Sequence, residues 1–202
     1  MGGLGWELKT KKMVKNYTDK QLLDKAESLP SFKGFPNGYW LLGVQSNEDK
    51  FDIFDDKFYL FKGKQFVLAT TGTTNAGKTA IFGFEKYNKK GVGVIKTNEW
   101  YDELWQSGLH HGKMKALRQI NPIKLFRDNN KNTKIEEIGE VYNEIVMCNF
   151  HTNDYNPLTK LVKWIIGGWS ACCQVCNNPM DYYSILELVG KQKVSYCLLK
   201  EF

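Results

Sequence analysis

Tyr39-Trp40-Leu41-Leu42-Gly43-Val44-Gln45 is an uncharged run made mostly of aromatic and aliphatic side chains. Seven residues suit a strand and are too few for a buried helix. Ser46 to Asp49 reads as a turn. Phe51 to Lys62 alternates imperfectly around Asp55-Asp56 and reads as the next strand. Gly63-Lys64 has the look of a hairpin turn, with Gln65 to Thr70 as the returning strand. A meander of short strands predicts a mainly β protein, a β-rich α+β domain.

Outward from this meander, Thr18 to Leu29 reads as a helix. Thr18 and Gln21 form a capping box, Leu22, Leu23, Ala26 and Leu29 fall at helical spacing, and Pro30 ends it. Ser31 to Gly38 is a linker. Phe82 to Ile95 carries β-type residues broken by glycines. Trp100 to Trp105 has the spacing of a short helix ended by Gly108. Ala116 to Phe126 reads as extended, and Asp128 to Lys134 as a polar loop. Val141 to Phe150 reads as a strand delivering His151. Asn178 caps a helix with Pro179 at its first position; that helix ends near Gly190. Val194 to Leu199 is the last strand. No boundary is visible beyond the first helix, so residues 1–38 read as an N-terminal extension and 39–202 as one domain.

Composition bounds the function. The 202 residues are 42% apolar and 14% aromatic, enough for a core rich in sheet formers. The net charge of +6 favours polyanionic partners such as nucleic acid, an anionic membrane or bacterial cell wall. No apolar run approaches the roughly 20 residues that span a bilayer, so no membrane span is expected. Met1 to Lys9 contains no signal-peptide core, which predicts synthesis in a cytoplasm without a secretory signal. Trp6 stands where a myristoylation signal needs Ser or Thr. The five cysteines are odd in number, and four crowd between Cys148 and Cys176. That pattern points to a reduced, catalytic or metal-bound set rather than a disulfide framework.

Three short motifs compete. Gly72 to Thr79 fits the P-loop spacing, but Ala80-Ile81-Phe82-Gly83-Phe84 after it makes a poor helix. The expectation is a loop between strands that binds no nucleotide. Asp128, Asn130 and Asn132 occupy the first ligand positions of a calcium loop, but Thr133 and Gly139 stand where Gly and Glu are required, so a solvated turn is expected. Cys148-x-x-His151 and Cys173-x-x-Cys176 have the paired spacing of a structural zinc site. The rival for the same residues is a nucleophilic thiol with its base. His151 closes one apolar run, and Cys173 stands 22 positions later on another.

Ser170-Ala171-Cys172-Cys173, with His151 upstream at the end of a strand, resembles the Ser-x-Gly-Cys signature of the L,D-transpeptidase (YkuD-type) catalytic domain. Thr71 to Gly77 looks like the Gly-Thr-Thr turn of phage-encoded relatives. Gly108-Leu109-His110-His111-Gly112-Lys113, Ala116-Leu117-Arg118-Gln119 and Arg127-Asp128 look like their central section. The similarity covers roughly Tyr39 to Phe202. The sequence departs from the pattern at Cys172, where the family has Gly, and at Val175, where an Arg often stands.

The resemblance implies a curved sheet or sandwich with its site in a cleft near one end. It also implies acyl transfer on a peptidoglycan stem peptide without a cofactor. Cys173 would attack the carbonyl, His151 would act as the base, and Ser170 would orient His151. Backbone amides of Cys172 and Cys173 would hold the oxyanion, and His111, Gly168 and Trp169 would touch substrate. The setting it implies is a phage protein acting at the bacterial wall, with virion proteins as further partners. A non-catalytic wall-binding protein on the same fold is the alternative, beside the zinc module.

Overall fold

The computed structural model describes residues 13–202. The reading of Met1 to Lys9 falls outside the described residues. Helix α1 spans Asp19–Glu27, and its capping box is complete: Thr18 Oγ1 accepts from the Gln21 amide, and Gln21 Oε1 accepts from the Thr18 amide. The strands are β1 (Tyr39–Gln45), β2 (Asp56–Lys62), β3 (Gln65–Thr73), β4 (Val92–Ile95), β5 (Glu99–His110), β6 (Met114–Gln119), β7 (Ile123–Asp128), β8 (Tyr142–Glu144), β9 (Phe150–Thr152), β10 (Gln174–Cys176) and β11 (Lys193–Lys200). Two further helices are α2 (Lys78–Phe82) and α3 (Pro179–Val189). The protein is therefore mainly β.

Eight strands close into a barrel in the order β1, β11, β5, β6, β9, β10, β3, β2. β4, β7 and β8 form a separate three-stranded sheet. The resemblance implies a curved sheet or sandwich; here the sheet curves until it closes, with β1 pairing with β2 on one side and with β11 on the other. β1 is covered on both faces, which is why its sequence runs apolar without alternation. Leu41, Phe58, Leu60, Tyr196 and Leu198 pack with Tyr182, Ile185 and Val189 of α3. The alternate residues Trp40, Leu42, Tyr59, Phe61 and Leu199 pack with Leu22 and Ala26 of α1. Residues of the N-terminal extension thus share a core with the barrel.

Several local expectations change. Trp100 to Trp105 lies in β5, not in a helix. The ladder to β11 shifts register between Val194 and Tyr196, and Glu103 has φ of +44°. This bulge exposes Asp102 and Glu103 between the buried pairs Trp100-Tyr101 and Leu104-Trp105. Two exposed residues between buried pairs imitate helical spacing. The second strand begins only at Asp56; before it, Ile53 makes one isolated bridge to Ile165. The extended run from Ala116 divides around Asn121-Pro122 into β6 in the barrel and β7 in the small sheet. The strand expected from Val141 to Phe150 divides likewise into β8 and β9. Between them Met147 takes φ of +59°, and the Gln119 side-chain carbonyl accepts the amides of Val146 and Cys148. Asn178, Pro179 and Gly190 delimit α3 as expected.

Candidate functional site

β9 and β10 run parallel, with His151 opposite Val175 and Gln174 opposite Phe150. Cys173 immediately precedes β10, so strand pairing closes the gap of 22 positions. β6 joins β9 at Leu117 and Phe150 and brings in His110, the last residue of β5. One ring nitrogen from His110, one from His151 and the Cys173 sulfur all lie within 4.8 Å of one another. His110 and Cys173 line a cleft of about 960 Å³ with His111, Gly168, Trp169 and Arg118.

The hydrogen bonds define the roles of the two rings. His151 Nδ1 lies 2.7 Å from the Thr152 carbonyl oxygen, which only accepts, so Nδ1 carries the proton. The lone pair is then on Nε2, which is buried and has no partner. Ser170 does not orient this ring, as the resemblance implied. Its hydroxyl donates instead to the Cys173 carbonyl at 2.8 Å and braces the loop, while the Thr152 carbonyl orients His151. The sequence points to His111 rather than His110, because the helix expected over Trp100 to Trp105 hides the continuous strand that ends at His110. His111 sits exposed in the following turn with φ of +49°, edge-on to His110 at 4.0 Å between ring centroids. His110 stacks on His151, centroids 4.1 Å apart.

Both departures from the signature have a local explanation. Cys172 is not among the residues with left-handed backbone, so its position makes no demand for glycine. Its side chain packs over Gly93, where an added Cβ would lie 2.6 Å from Cys172 Sγ. Cys172 and Cys173 fall in different core clusters, as alternation requires. Val175 is buried with Phe54 and Ile166. The cleft takes its guanidinium groups from Arg118 and from Arg127, which pairs with Glu144 at 3.2 Å.

The zinc quartet does not assemble. Cys148 donates its thiol to the Cys172 carbonyl, and Cys176 lies 3.4 Å from Thr70 Oγ1 and 3.3 Å from the Asn178 carbonyl. Among the described residues, the donors that cluster are His110, His151 and Cys173 instead. The calcium-like turn is a chain of Asx turns. Asp128 caps Asn130, Asn130 caps Asn132 and Asn132 caps Lys134, so each carboxyl or amide oxygen serves its own backbone.

The P-loop spacing belongs to a brace. The expected strand-like continuation is instead the five-residue α2, but its leading amides are occupied. Gly77, Lys78 and Thr79 donate to the Ser170 carbonyl, Asp52 Oδ1 and the Gly167 carbonyl. An added Cβ at Gly77 would lie 2.4 Å from the Gly167 carbonyl oxygen. The loop thus supports the segment that delivers Cys173. ATP or GTP with Mg²⁺ is expected to show no saturable binding in calorimetry at micromolar concentrations. Binding that disappears in Lys78→Ala would contradict this.

Burial governs the electrostatics. It lowers the His151 pKa to about 4. It lowers that of His110 to about 3, helped by the neighbouring His151 and His111. It raises the Cys173 thiol to about 12; Cys172 adds to this, and the backbone N–H of Asn149 opposes it. The resting site is therefore a neutral thiol beside two neutral imidazoles. An unfolded histidine titrates near 6.5. Below that pH the unfolded chain binds protons that the folded chain refuses until about pH 4. The histidines' contribution to the melting temperature is expected to fall as pH drops from about 6.5 toward 4, against the opposite pull of buried Asp49 and Asp56, whose pKa values burial raises to about 6 and about 8. His151→Phe should flatten that fall; an unchanged slope would contradict the assignment.

No family model matches the chain, and neither a curated protein nor a solved structure matches it.

Proposed function

We propose that the protein is a cysteine acyl-transfer enzyme acting on peptidoglycan stem peptides, as an L,D-transpeptidase, carboxypeptidase or peptidase. The observation that carries this reading is a ring nitrogen of His151 within 4.8 Å of the Cys173 sulfur, on a ring whose buried Nε2 has no partner, where Cys173 lines a cleft of about 960 Å³. The peptidoglycan substrate rests on the signature around Ser170 to Cys173 and on the basic charge. A phage virion or lysis protein is the setting this reading favours. Among the described residues no helix is long and apolar enough to cross a membrane.

The chemistry follows from the tautomer. His151 Nε2 takes the thiol proton as Cys173 sulfur bonds to the substrate carbonyl carbon, and the carbonyl π pair moves onto oxygen. Collapse of this adduct breaks the carbon–nitrogen bond, and the leaving amine takes the proton from His151. Water or a second amine then attacks the thioester by the same path in reverse, giving hydrolysis or cross-linking. The neutral thiol at rest makes proton transfer concerted with attack rather than the release of a stored thiolate. The amides of Cys172 and Cys173 have no acceptor among the described residues, which suits an oxyanion contact.

The test is a muropeptide digest analysed by mass spectrometry. Wild type is expected to cut or exchange the bond between an L- and a D-residue, Cys173→Ala to do neither, and Cys176→Ala to keep the activity. Limited iodoacetamide should mark Cys173 first. Cys148, Cys176 and Cys197 are fully buried; Cys172 and Cys173 both line the cleft, and Cys173 is the one with ring nitrogens of His110 and His151 beside its sulfur. Preferential labelling of Cys172 or Cys176 would sink the nucleophile assignment. The raised thiol pKa favours one second reading, a ligand-binding protein without turnover. An inert wild type whose cleft still binds muropeptide would establish it.

A further inference from the structure

The site contains a second histidine whose protonation the structure specifies. Asn149 Oδ1 accepts the backbone N–H of Gln119 at 2.9 Å, and a backbone N–H can only donate. The amide of Asn149 is thereby oriented, and its Nδ2 is the group facing His110 Nδ1 at 3.0 Å. Nδ2 donates, so His110 Nδ1 accepts, and the single ring proton of neutral His110 resides on Nε2. The two stacked rings therefore hold opposite tautomers. His151 offers a lone pair at Nε2, and His110 offers an N–H at the same position. The two nitrogens also differ in access. His151 Nε2 is sealed and unpartnered, whereas His110 Nε2 is not among the sealed polar atoms, and its ring lines the cleft.

We propose that His110 is a third catalytic residue, a neutral imidazole whose Nε2–H donates to the oxyanion that forms when Cys173 attacks the substrate carbonyl. This rests on the acyl-transfer reading above. The geometry suits the role. An attacked carbonyl carbon sits about 3–3.5 Å from the nucleophile before bond formation. An oxyanion donor lies about 2.7–3.1 Å from the oxygen on that carbon. A donor and a sulfur separated by no more than a few ångströms satisfy both distances, and a ring nitrogen of His110 lies within 4.8 Å of the Cys173 sulfur, on a ring that lines the same cleft. The low basicity of His110 keeps it an N–H donor of fixed charge down to acidic pH. Gln119 links the network to the loop, because its own side chain accepts the amides of Val146 and Cys148 on the way to Asn149. The same tautomer argues against a metal centre, because His110 turns a proton rather than a lone pair toward the cleft.

Three measurements on the full chain test this. His110→Phe keeps the ring stacked on His151 and removes the donor. It is expected to lower kcat/KM on muropeptide by about 10²–10³-fold. Iodoacetamide alkylation of Cys173, a displacement that forms no oxyanion, should fall far less. His110→Gln, which retains an N–H donor, should lose less than His110→Phe. Equal losses in alkylation and turnover would reduce His110 to packing for His151 and overturn the proposal, as would unchanged turnover in a folded His110→Phe. Long-range proton–nitrogen NMR on the wild type reads the tautomer directly, whether or not a variant folds. Protonation of His110 at Nε2 is expected; at Nδ1 it overturns the proposal. A wild type without turnover would remove the acyl-transfer reading and this role with it. An active wild type with an active His110→Phe would remove only this role.

Discussion

His151→Ala is expected to cut muropeptide turnover by about 10⁴–10⁶-fold, the scale on which loss of a catalytic base acts when nucleophile and base work as a unit. The expectation rests on position. A ring nitrogen of His151 lies within 4.8 Å of the Cys173 sulfur, the Thr152 carbonyl engages Nδ1, and the lone pair left on Nε2 is buried without a partner. His110 cannot replace it, because its Nδ1 is engaged by Asn149 and its Nε2 bears the proton. Stability should respond much less. Truncation leaves a cavity beneath His110, but it also removes a buried nitrogen with no partner. The net cost is expected at about 1–3 kcal/mol. Steady-state turnover and thermal melting of the same preparation check both parts. Full turnover by a well-folded His151→Ala protein would end the dyad. A melting temperature that collapses with no change in residual turnover would make His151 a packing residue.

The second large effect is on stability. Trp105→Ala is expected to destabilise the fold by about 3–5 kcal/mol, a large part of the 5–15 kcal/mol typical of a domain. Trp105 is fully buried and packs on Tyr196 with centroids 4.6 Å apart and on Phe150 at 5.9 Å. Its Nε1 donates to the Cys148 carbonyl at 2.8 Å. The substitution therefore opens a cavity and leaves that carbonyl without its donor. Trp105→Phe keeps most of the packing and loses only the hydrogen bond, which is expected to cost about 1–3 kcal/mol. Urea unfolding with an unchanged slope measures both. Cys148 precedes Asn149, so Trp105→Phe is also expected to lower activity more than its stability loss alone explains. Unfolding midpoints indistinguishable from wild type would show that the barrel interior does not rely on this contact.

Local chemistry was legible wherever it sat in neighbouring residues. Thr18 with Gln21, Asn178 with Pro179, and Gly63-Lys64 each act on partners within a few positions, and each appears as read. The run from Tyr39 to Gln45 was legible because a strand buried on both faces needs no pattern beyond being apolar. His151 and Cys173 could be named as candidates, since a thiol and an imidazole are recognisable wherever they stand. Long-range pairing decided everything else. The bulge at Asp102-Glu103 made a strand look helical, and only the ladder to β11 shows the difference. The loop from Gly72 to Thr79 reads as a non-nucleotide loop from its sequence, but only the tertiary structure shows its amides engaged by Ser170, Asp52 and Gly167. His110 entered the site only through the pairing of β5 with β6 and of β6 with β9. Its tautomer depends on Asn149, and the orientation of Asn149 depends on the backbone of Gln119. A side chain's chemical type is a property of its own position. The direction in which it donates a proton is set by neighbours that only closure of the barrel brings within reach.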